Sequence, residues 1–271
     1  MTQSGISQHI LKLEEQLGTQ LFIRVNKKVI LTENGRKFHQ YLEAYRDQTV
    51  ALKESLGLTQ MEVAGKVSYA MPESCLMSPH FSMLLEERKK NFPKIELSVN
   101  LCPSDLVLDK LLENKIDFGF VTKQIINPAI QFTPFCQEEY ILVGHDKKTL
   151  DSISSKTILE QNFIFYPGFD VIFDCWRKKY FPKATRLGPL MLKNIGEMSS
   201  LYGVLQMLLS GVGITVIPRH CVSQYVEDKK LFVYGDEDTQ ALNQIFIATL
   251  TNIHLPQRAK IVIETFTHFK N

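Results

Sequence analysis

The 271-residue sequence predicts a mixed α/β protein, with a small amino-terminal segment of two helices and a hairpin followed by two α/β halves. Three observations predict this class. The first 57 residues carry helical apolar spacing on both sides of two short β-prone runs. From Lys66 onward, apolar strands alternate with helices. This alternation occurs in two successive rounds, which is typical of two lobes with a cleft between them.

Composition is that of an ordinary globular protein. Hydrophobic residues make up 44% and charged residues 22% of the chain, and the net charge of +2 does not by itself indicate a nucleic-acid-binding protein. The charge is uneven, because residues 1–37 contain six Lys or Arg against three Glu. The five cysteines lack metal-knuckle or redox-motif spacing, which favours reduced thiols. Without a signal-peptide pattern or a membrane-spanning apolar run, the sequence predicts a cytoplasmic protein.

The amino-terminal segment begins with an amphipathic helix that has a polar first turn. Its apolar residues recur at helical spacing: Ile6, Ile10, Leu13 and Leu17. Gly18 marks the end of this helix. Two β-prone runs, 21–25 and 29–32, flank residues 26–28 and predict a hairpin with a basic tip. Thr32 is placed to cap the helix that follows.

The second helix, predicted over residues 33–57, carries a heptad pattern. Its large side chains alternate steps of four and three residues, with Thr49 as the weak member: Phe38, Leu42, Tyr45, Thr49, Leu52 and Leu56. This seam either packs on its own domain or pairs with a second copy of the chain. Because little sequence is available to cover it, pairing is favoured, and we expect a dimer. Residues 58–65 form a linker.

The two α/β halves follow the linker. The first half is predicted to contain strands 66–72, 95–102 and 117–122 with helices 80–92 and 104–115 between them. The second half is predicted to contain strands 139–145, 162–167, 190–195 and 213–218 with helices near 171–180 and 199–211. A strand at 244–250 and a helix at 258–269 close the chain. The strand–helix–strand order predicts parallel sheets.

Short polar side chains follow strands in both halves. In open parallel sheets, ligands bind at the carboxyl ends of strands, where helix N-termini offer free backbone N–H groups. Ser104 or Ser199 alone is explained as a helix N-cap, but the recurrence in both halves predicts a shared small-molecule cleft. The candidate ligand-binding residues are Glu73, Ser74, Cys75, Cys102, Pro103, Ser104, Thr122, Lys123, Phe165, Tyr166, Met198, Ser199 and Ser200.

The sequence contains no catalytic constellation. The seven histidines form no metal-binding pair, and neither a nucleophile elbow nor a phosphate-binding glycine loop is present. Cys75 beside the cleft is either a redox sensor or a packed thiol, and the lack of a nearby resolving partner favours the packed thiol. We therefore expect no enzyme activity, no cofactor and no metal site.

Residues 2–35 closely resemble the end of the winged helix-turn-helix of LysR-type transcriptional regulators. They read "TQSGISQHILKLEEQLGTQLFIRVNKKVILTENG", with the family's Ser/Thr-Gln start, "LEEQLG", "LF-R", basic wing and "LT--G". Looser agreement continues through "LLENKIDFGFV" and "LLSGVGITVIP". Residues 66–271 therefore resemble the family's two-lobed effector-binding domain, of the periplasmic-binding-protein type. In that fold, lobe I comprises about 66–137 and 240–271, and lobe II comprises about 138–239.

The resemblance implies a ligand-responsive, DNA-binding transcriptional regulator. The first helix would be the recognition helix of a partial winged helix-turn-helix, and the residues implied in DNA contact are Gln3, Ser4, Ser7, Gln8, Lys12, Arg24, Lys27, Lys28 and Thr32. The helix at 33–56 would mediate dimerisation. The cleft would bind an effector that changes the geometry of a dimer or tetramer. The implied partners are double-stranded DNA, a small-molecule effector, further copies of the chain and RNA polymerase.

Two features differ from the family pattern. Family members carry further helices before the recognition helix, so we expect a preceding segment, and we expect an upstream-extended chain to bind its operator better than this one. The cleft rim formed by Met71, Pro72, Cys75 and Cys102 is rather apolar, and Lys123 is the only clear cation at the strand ends. A small carboxylate effector, common in the family, is therefore not favoured.

Two alternatives belong to other functional classes. One is a two-lobed solute-binding or ligand-sensing protein that has lost DNA binding through truncation. The wing-like hairpin, the coiled-coil helix and the lack of a signal sequence argue against it. The other is an enzyme that uses Cys75 or a cleft carboxylate, and the absence of an acid–base or nucleophile pair argues against it. Salt-dependent binding to upstream DNA separates the regulator from both alternatives.

Overall fold

A computed structural model of the chain describes residues 3–25, 28–55, 63–236, 238–251 and 253–268. The chain divides into two compact units, residues 1–61 with 254–257, and residues 62–253 with 258–271. In the ranges just given, no helix is long and apolar enough to cross a membrane.

The smaller unit contains the predicted helix, hairpin and second helix. Its elements are α1 (Gln3–Leu17), β1 (Phe22–Val25), β2 (Lys28–Leu31) and α2 (Glu33–Ser55). The first helix ends as predicted, because Gly18 adopts the left-handed conformation, with φ of +64°. β1 pairs antiparallel with β2, so the predicted hairpin is confirmed. Its tip residues, Asn26 and Lys27, lie outside the described residues.

Hydrogen bonds fix the hairpin between the two helices. The Glu14 carboxylate accepts the backbone N–H groups of Leu21, at 2.7 Å, and Phe22, at 3.0 Å. The Thr32 hydroxyl accepts the N–H of Gly35 at 2.8 Å, which confirms the predicted N-cap of α2. The same hydroxyl donates to the Gln20 carbonyl at 2.7 Å. One threonine therefore joins the hairpin to the start of α2.

The first lobe of the larger unit is a parallel α/β layer. Its elements are β3 (Gly65–Met71), α3 (Pro79–Asn91), β4 (Ile95–Leu101), α4 (Ser104–Leu112) and β5 (Phe118–Val121). β3 pairs parallel with β4 on one side and with β5 on the other, as the strand–helix alternation predicts. The inner strand is apolar because both of its faces are covered, and Val67, Tyr69 and Ala70 are fully buried.

The second lobe and the chain end follow. The elements are β6 (Ile130–Gly144), α5 (Lys147–Asp151), β7 (Asn162–Phe165), α6 (Phe169–Tyr180), β8 (Lys193–Glu197), α7 (Leu201–Leu209), β9 (Thr215–Pro218), α8 (Ser223–Glu227), β10 (Phe232–Val233), β11 (Ala241–Leu250) and α9 (Gln257–His268). β7 pairs parallel with β8, and aromatic rings from Phe163 to Trp176 fill the core of this lobe.

Two long antiparallel strands, β6 and β11, connect the lobes. They pair with each other from Ala241↔Tyr140 to Leu250↔Ile130, with an irregularity between Gln244 and Phe246. At one end β11 pairs with β5 of the first lobe, and at the other end β6 pairs with β9 and β10 of the second lobe. α9 returns to the first lobe, where the Phe266 ring packs 4.9 Å from that of Phe120.

Two strand predictions need correction. The predicted strand 139–145 begins much earlier, at Ile130. The sequence pattern does not show this start, because Pro134 and several polar side chains within residues 130–138 weaken the strand pattern. The predicted strand 190–195 is wrong at its start, since Leu190 and Met191 lie in a 3-10 turn that begins at Pro189. Leu190 is fully exposed, so the apolar residues at the start of the predicted strand 190–195 do not belong to a buried strand.

Candidate functional site

A cavity of about 540 Å³ lies between the two lobes, at the carboxyl ends of their strands. The first lobe contributes the residues that follow β3, β4 and β5, and the second lobe contributes the residues after β7 and before α7. The structure brings together these predicted site residues around the cavity: Glu73, Ser74, Cys102, Pro103, Ser104, Thr122, Lys123, Tyr166 and Ser199. Strand ends of both halves therefore meet at one cavity of ordinary ligand-site size.

The other predicted site residues, Cys75, Phe165, Met198 and Ser200, do not line the cavity. Phe165 stacks on Phe169 in the second-lobe core, with ring centroids 4.5 Å apart. The Met198 side chain also packs against that core. Burial raises the pKa of the Cys75 thiol well above its usual value, which disfavours the thiolate that a redox sensor requires.

The two serines singled out from the sequence are not N-caps. The N-cap of α4 is Pro103, and Ser104 is the first helical residue. The Ser104 hydroxyl instead accepts the backbone N–H of Thr122 at 3.0 Å and lies 3.1 Å from the Thr122 hydroxyl. The N-cap of α7 is Ser200, so Ser199 precedes it. Both Ser104 and Ser199 line the cavity.

Glu73 reaches from the first lobe to the start of α7 in the second. Its carboxylate accepts the Ser200 hydroxyl and the Leu201 backbone N–H, each at 2.9 Å. A carboxylate at a helix N-terminus is stabilised by the unpaired N–H groups and the helix dipole. A second contact joins the lobes nearby, since the His220 ring donates from Nε2 to the Ser74 carbonyl at 2.9 Å. Desolvation lowers the pKa of His220.

Glu138, which sequence reasoning missed, also lines the cavity. It lies on β6, and only 7% of it is exposed. Its hydrogen-bond partner is the Tyr140 hydroxyl, at the long distance of 3.4 Å. Burial raises the pKa of this carboxyl to about 7. The neighbouring Glu139 differs, because it is paired with the Arg219 guanidinium, in part through a 2.9 Å bond.

In the smaller unit, the implied DNA-contact residues are distributed over α1 and the hairpin. Ser7, Gln8 and Lys12 are exposed on α1. The Thr32 hydroxyl is engaged by Gln20 and Gly35. The side chains of Gln3, Ser4, Arg24 and Lys28, together with all of Lys27, lie outside the described residues.

The predicted dimerisation seam follows α2. Leu42 and Tyr45 are exposed by 45% and 59%, so a substantial apolar surface faces outward. Phe38 is half-buried, and the Thr49 hydroxyl donates to the Tyr45 carbonyl at 2.8 Å. Leu52 is also exposed, whereas Leu56 lies outside the described residues.

The two lobes, the strands that connect them and the cavity define a bilobal ligand-binding module. Residues 61–270 match the family model described as LysR substrate binding domain. Residues 1–36 match the model described as bacterial regulatory helix-turn-helix protein, lysR family. The chain therefore belongs to the LysR family. It is a ligand-responsive transcriptional regulator with a DNA-binding helix-turn-helix and an effector-binding domain.

Individual relatives agree with this assignment. The HTH-type transcriptional regulator SoxR of Arthrobacter sp. (strain TE1826) is 26% identical over 250 residues, which cover 90% of this chain and 81% of that protein. The fold is similar to that of ArgP from Mycobacterium tuberculosis, with a TM-score of 0.66, 15% identity and coverage of 100% and 89% of the two chains. It is also similar to the effector binding domain of QuiR in complex with shikimate, with a TM-score of 0.60, 14% identity and coverage of 76% and 97%.

Proposed function

We propose that this regulator senses its effector in the inter-lobe cavity and reads DNA with α1 and the hairpin. The observation that carries the sensing role is the cavity itself, which residues of both lobes line. Because a molecule bound there contacts both lobes, its binding favours one arrangement of the lobes over another. Shikimate bound to the QuiR domain supports a small molecule as the kind of ligand. The proposed effector contacts are Ser104, Thr122, Lys123, Tyr166 and Ser199.

DNA recognition is assigned to the smaller unit. The exposed side chains of Ser7, Gln8 and Lys12 offer hydroxyl, amide and ammonium groups of the kind that contact base edges and phosphates. The proposal adds Gln3 and Ser4 on the same helix and the basic hairpin residues Arg24, Lys27 and Lys28. Thr32 contributes by fixing the hairpin, since its hydroxyl already bonds to Gln20 and Gly35.

Self-association is assigned to α2. Its heptad spacing and the exposed Leu42 and Tyr45 support pairing with the same helix of a second copy. The proposed organisation is a DNA-binding and dimerisation segment at 1–57, a linker at 58–65 and an effector-binding domain at 66–271. The same proposal includes a dimer or tetramer that acts in the cytoplasm, contacts RNA polymerase and carries out no catalysis.

A mobility-shift titration with the DNA upstream of this protein's own gene tests the DNA-reading role. We expect affinity to fall as salt rises, because bound Lys and Arg release counterions from phosphates. Lys12→Gln should reduce the slope of log affinity against log salt by about 1, which is the contribution of one phosphate contact. Lys156→Gln, on an exposed turn of the second lobe, is the matched control. An unchanged slope in Lys12→Gln contradicts the proposed phosphate contact of Lys12. Binding that does not depend on salt contradicts the proposed recognition of DNA through Lys and Arg contacts with phosphates.

A further inference from the structure

The charge of the cavity is predominantly acidic. Among the described side chains that line it, four are carboxyls, namely Glu73, Asp105, Glu138 and Asp170, and the cationic one is Lys123. The Glu73 carboxylate is already bonded to the start of α7. Asp105 and Asp170 also line the cavity, and both residues are exposed. The field inside such a cavity attracts cations and repels anions, and it is strongest where water is excluded.

Glu138 is the buried member of this set. The titratable groups that interact with it include Cys75, Tyr140, Tyr166 and Cys221, which stay uncharged at neutral pH because burial raises their pKa values. Tyr166 does not satisfy the carboxyl, because its hydroxyl donates to the Val216 carbonyl at 2.7 Å. The remaining contact, from the Tyr140 hydroxyl at 3.4 Å, is long for a bond to a carboxylate. Among the residues that the structure describes, this long contact is the one hydrogen bond to the Glu138 carboxyl, which is more than nine-tenths buried and lines the cavity.

We infer that the effector is a small organic cation whose ammonium group binds the Glu138 carboxylate. The inference rests on the proposed effector role of the cavity and specifies the chemical class of the ligand. Leu101, Leu106 and Ile172 form apolar walls that suit a hydrocarbon body. A metal ion fits less well, because in the part of the chain that the structure describes no group of three or more His, Cys, Asp or Glu is arranged to hold one.

Binding of such a cation is coupled to a proton. Burial raises the pKa of Glu138 to about 7, so about half of the molecules carry a proton on this carboxyl at pH 7. An adjacent ammonium group stabilises the ionised carboxylate and releases that proton. Binding at pH 7 should therefore release about half a proton per ligand, and affinity should rise about tenfold between pH 6 and pH 8.

Three probes with one aromatic body and different head groups test the ligand class: phenethylamine, phenethyl alcohol and hydrocinnamate. Isothermal titration calorimetry with the full chain, in buffers of different ionisation enthalpy, gives both affinity and proton release. We expect the amine to bind more tightly than the alcohol or the carboxylate and to release protons. Preference for the carboxylate or the alcohol overturns the inference, and so does failure of the amine to bind at millimolar concentration.

Glu138→Gln keeps the shape of the side chain and removes its charge. We expect it to weaken phenethylamine binding about tenfold or more and to abolish proton release. Glu160→Gln, at an exposed position that does not line the cavity, is the matched control. Equal amine binding by the parent and Glu138→Gln overturns the inference. If Glu138→Gln fails to fold, the proton-release measurement on the parent protein still tests the inference, because amine binding without proton release overturns it.

The two proposals fail in different ways. If hydrocinnamate binds and Ser104→Ala weakens it, the cavity is an effector site and only the ligand class is wrong. If all three probes bind without regard to substitutions in the cavity, both the ligand class and the effector role of the cavity are wrong. DNA binding in the mobility-shift titration is independent of either result.

Discussion

Replacing Glu138 with glutamine should stabilise the effector domain above neutral pH and have little effect in acid. Burial raises the pKa of this carboxyl from 4.5 to about 7, so between these values the folded protein holds a proton that the unfolded chain has released. Stability of the parent therefore falls as pH rises through this window, and the loss is complete above the folded pKa. The difference between the two pKa values corresponds to about 3 kcal/mol.

Urea unfolding at pH 5 and pH 8 measures this effect. The fluorescence of Trp176, the single tryptophan of the chain, reports on the domain because its side chain is fully buried in the second lobe. Glutamine stays neutral at both pH values, so Glu138→Gln should exceed the parent by up to about 3 kcal/mol at pH 8 and match it more closely at pH 5. Glu160→Gln controls for the loss of one carboxylate. A stability difference between Glu138→Gln and the parent that is the same at both pH values would refute the reasoning.

Three further predictions concern the inter-lobe bond, a close contact in the first lobe and self-association. A double-mutant cycle of Glu73→Ala and Ser200→Ala should give a coupling free energy of about 1 kcal/mol in urea unfolding, and additive effects would contradict the inter-lobe bond. Gly119→Ala should cost about 1–3 kcal/mol, because a Cβ would lie 2.2 Å from Val107 Cγ1; an unchanged midpoint would contradict this close approach. Tyr45→Arg should shift the protein toward monomer in light scattering, whereas Gln40→Arg, off the heptad seam, should not.

Local signals explain the parts of the fold that the sequence predicts well. The end of α1 needs only Gly18, and the start of α2 needs only the Thr32 hydroxyl and the N–H of Gly35. The parallel first lobe follows from apolar runs such as β3 that are buried on both faces. The same strand ends gave Ser104 and Thr122 as site residues, because the carboxyl ends of parallel strands meet at one edge.

The parts that the sequence does not predict depend on contacts between distant residues. The hydrogen bond between Glu73 and Ser200 joins residues 127 positions apart, and no local sequence pattern predicts it. Glu138 lies in the part of β6 where polar residues and Pro134 weaken the strand pattern. The sequence pattern therefore does not predict that its side chain is buried. Phe165 and Tyr166 are consecutive and both contact Phe169 in the second-lobe core, yet only Tyr166 also lines the cavity, and the sequence pattern does not distinguish the two.

The contact between Glu73 and α7 sets a threshold for any effector that favours a different arrangement of the lobes. A ligand shifts the lobes only by the difference between its binding free energies for the two arrangements. If the contact stabilises the present arrangement by about 1 kcal/mol, the ligand must bind the other arrangement about fivefold more tightly to offset it. Glu138 lies on β6, which runs through both lobes, so a cation bound there acts on the connecting strand without replacing the Glu73 bond. Glu73→Ala should therefore lower the concentration of such an effector that is needed to change DNA binding, and an unchanged concentration would mean that this contact does not take part in the response.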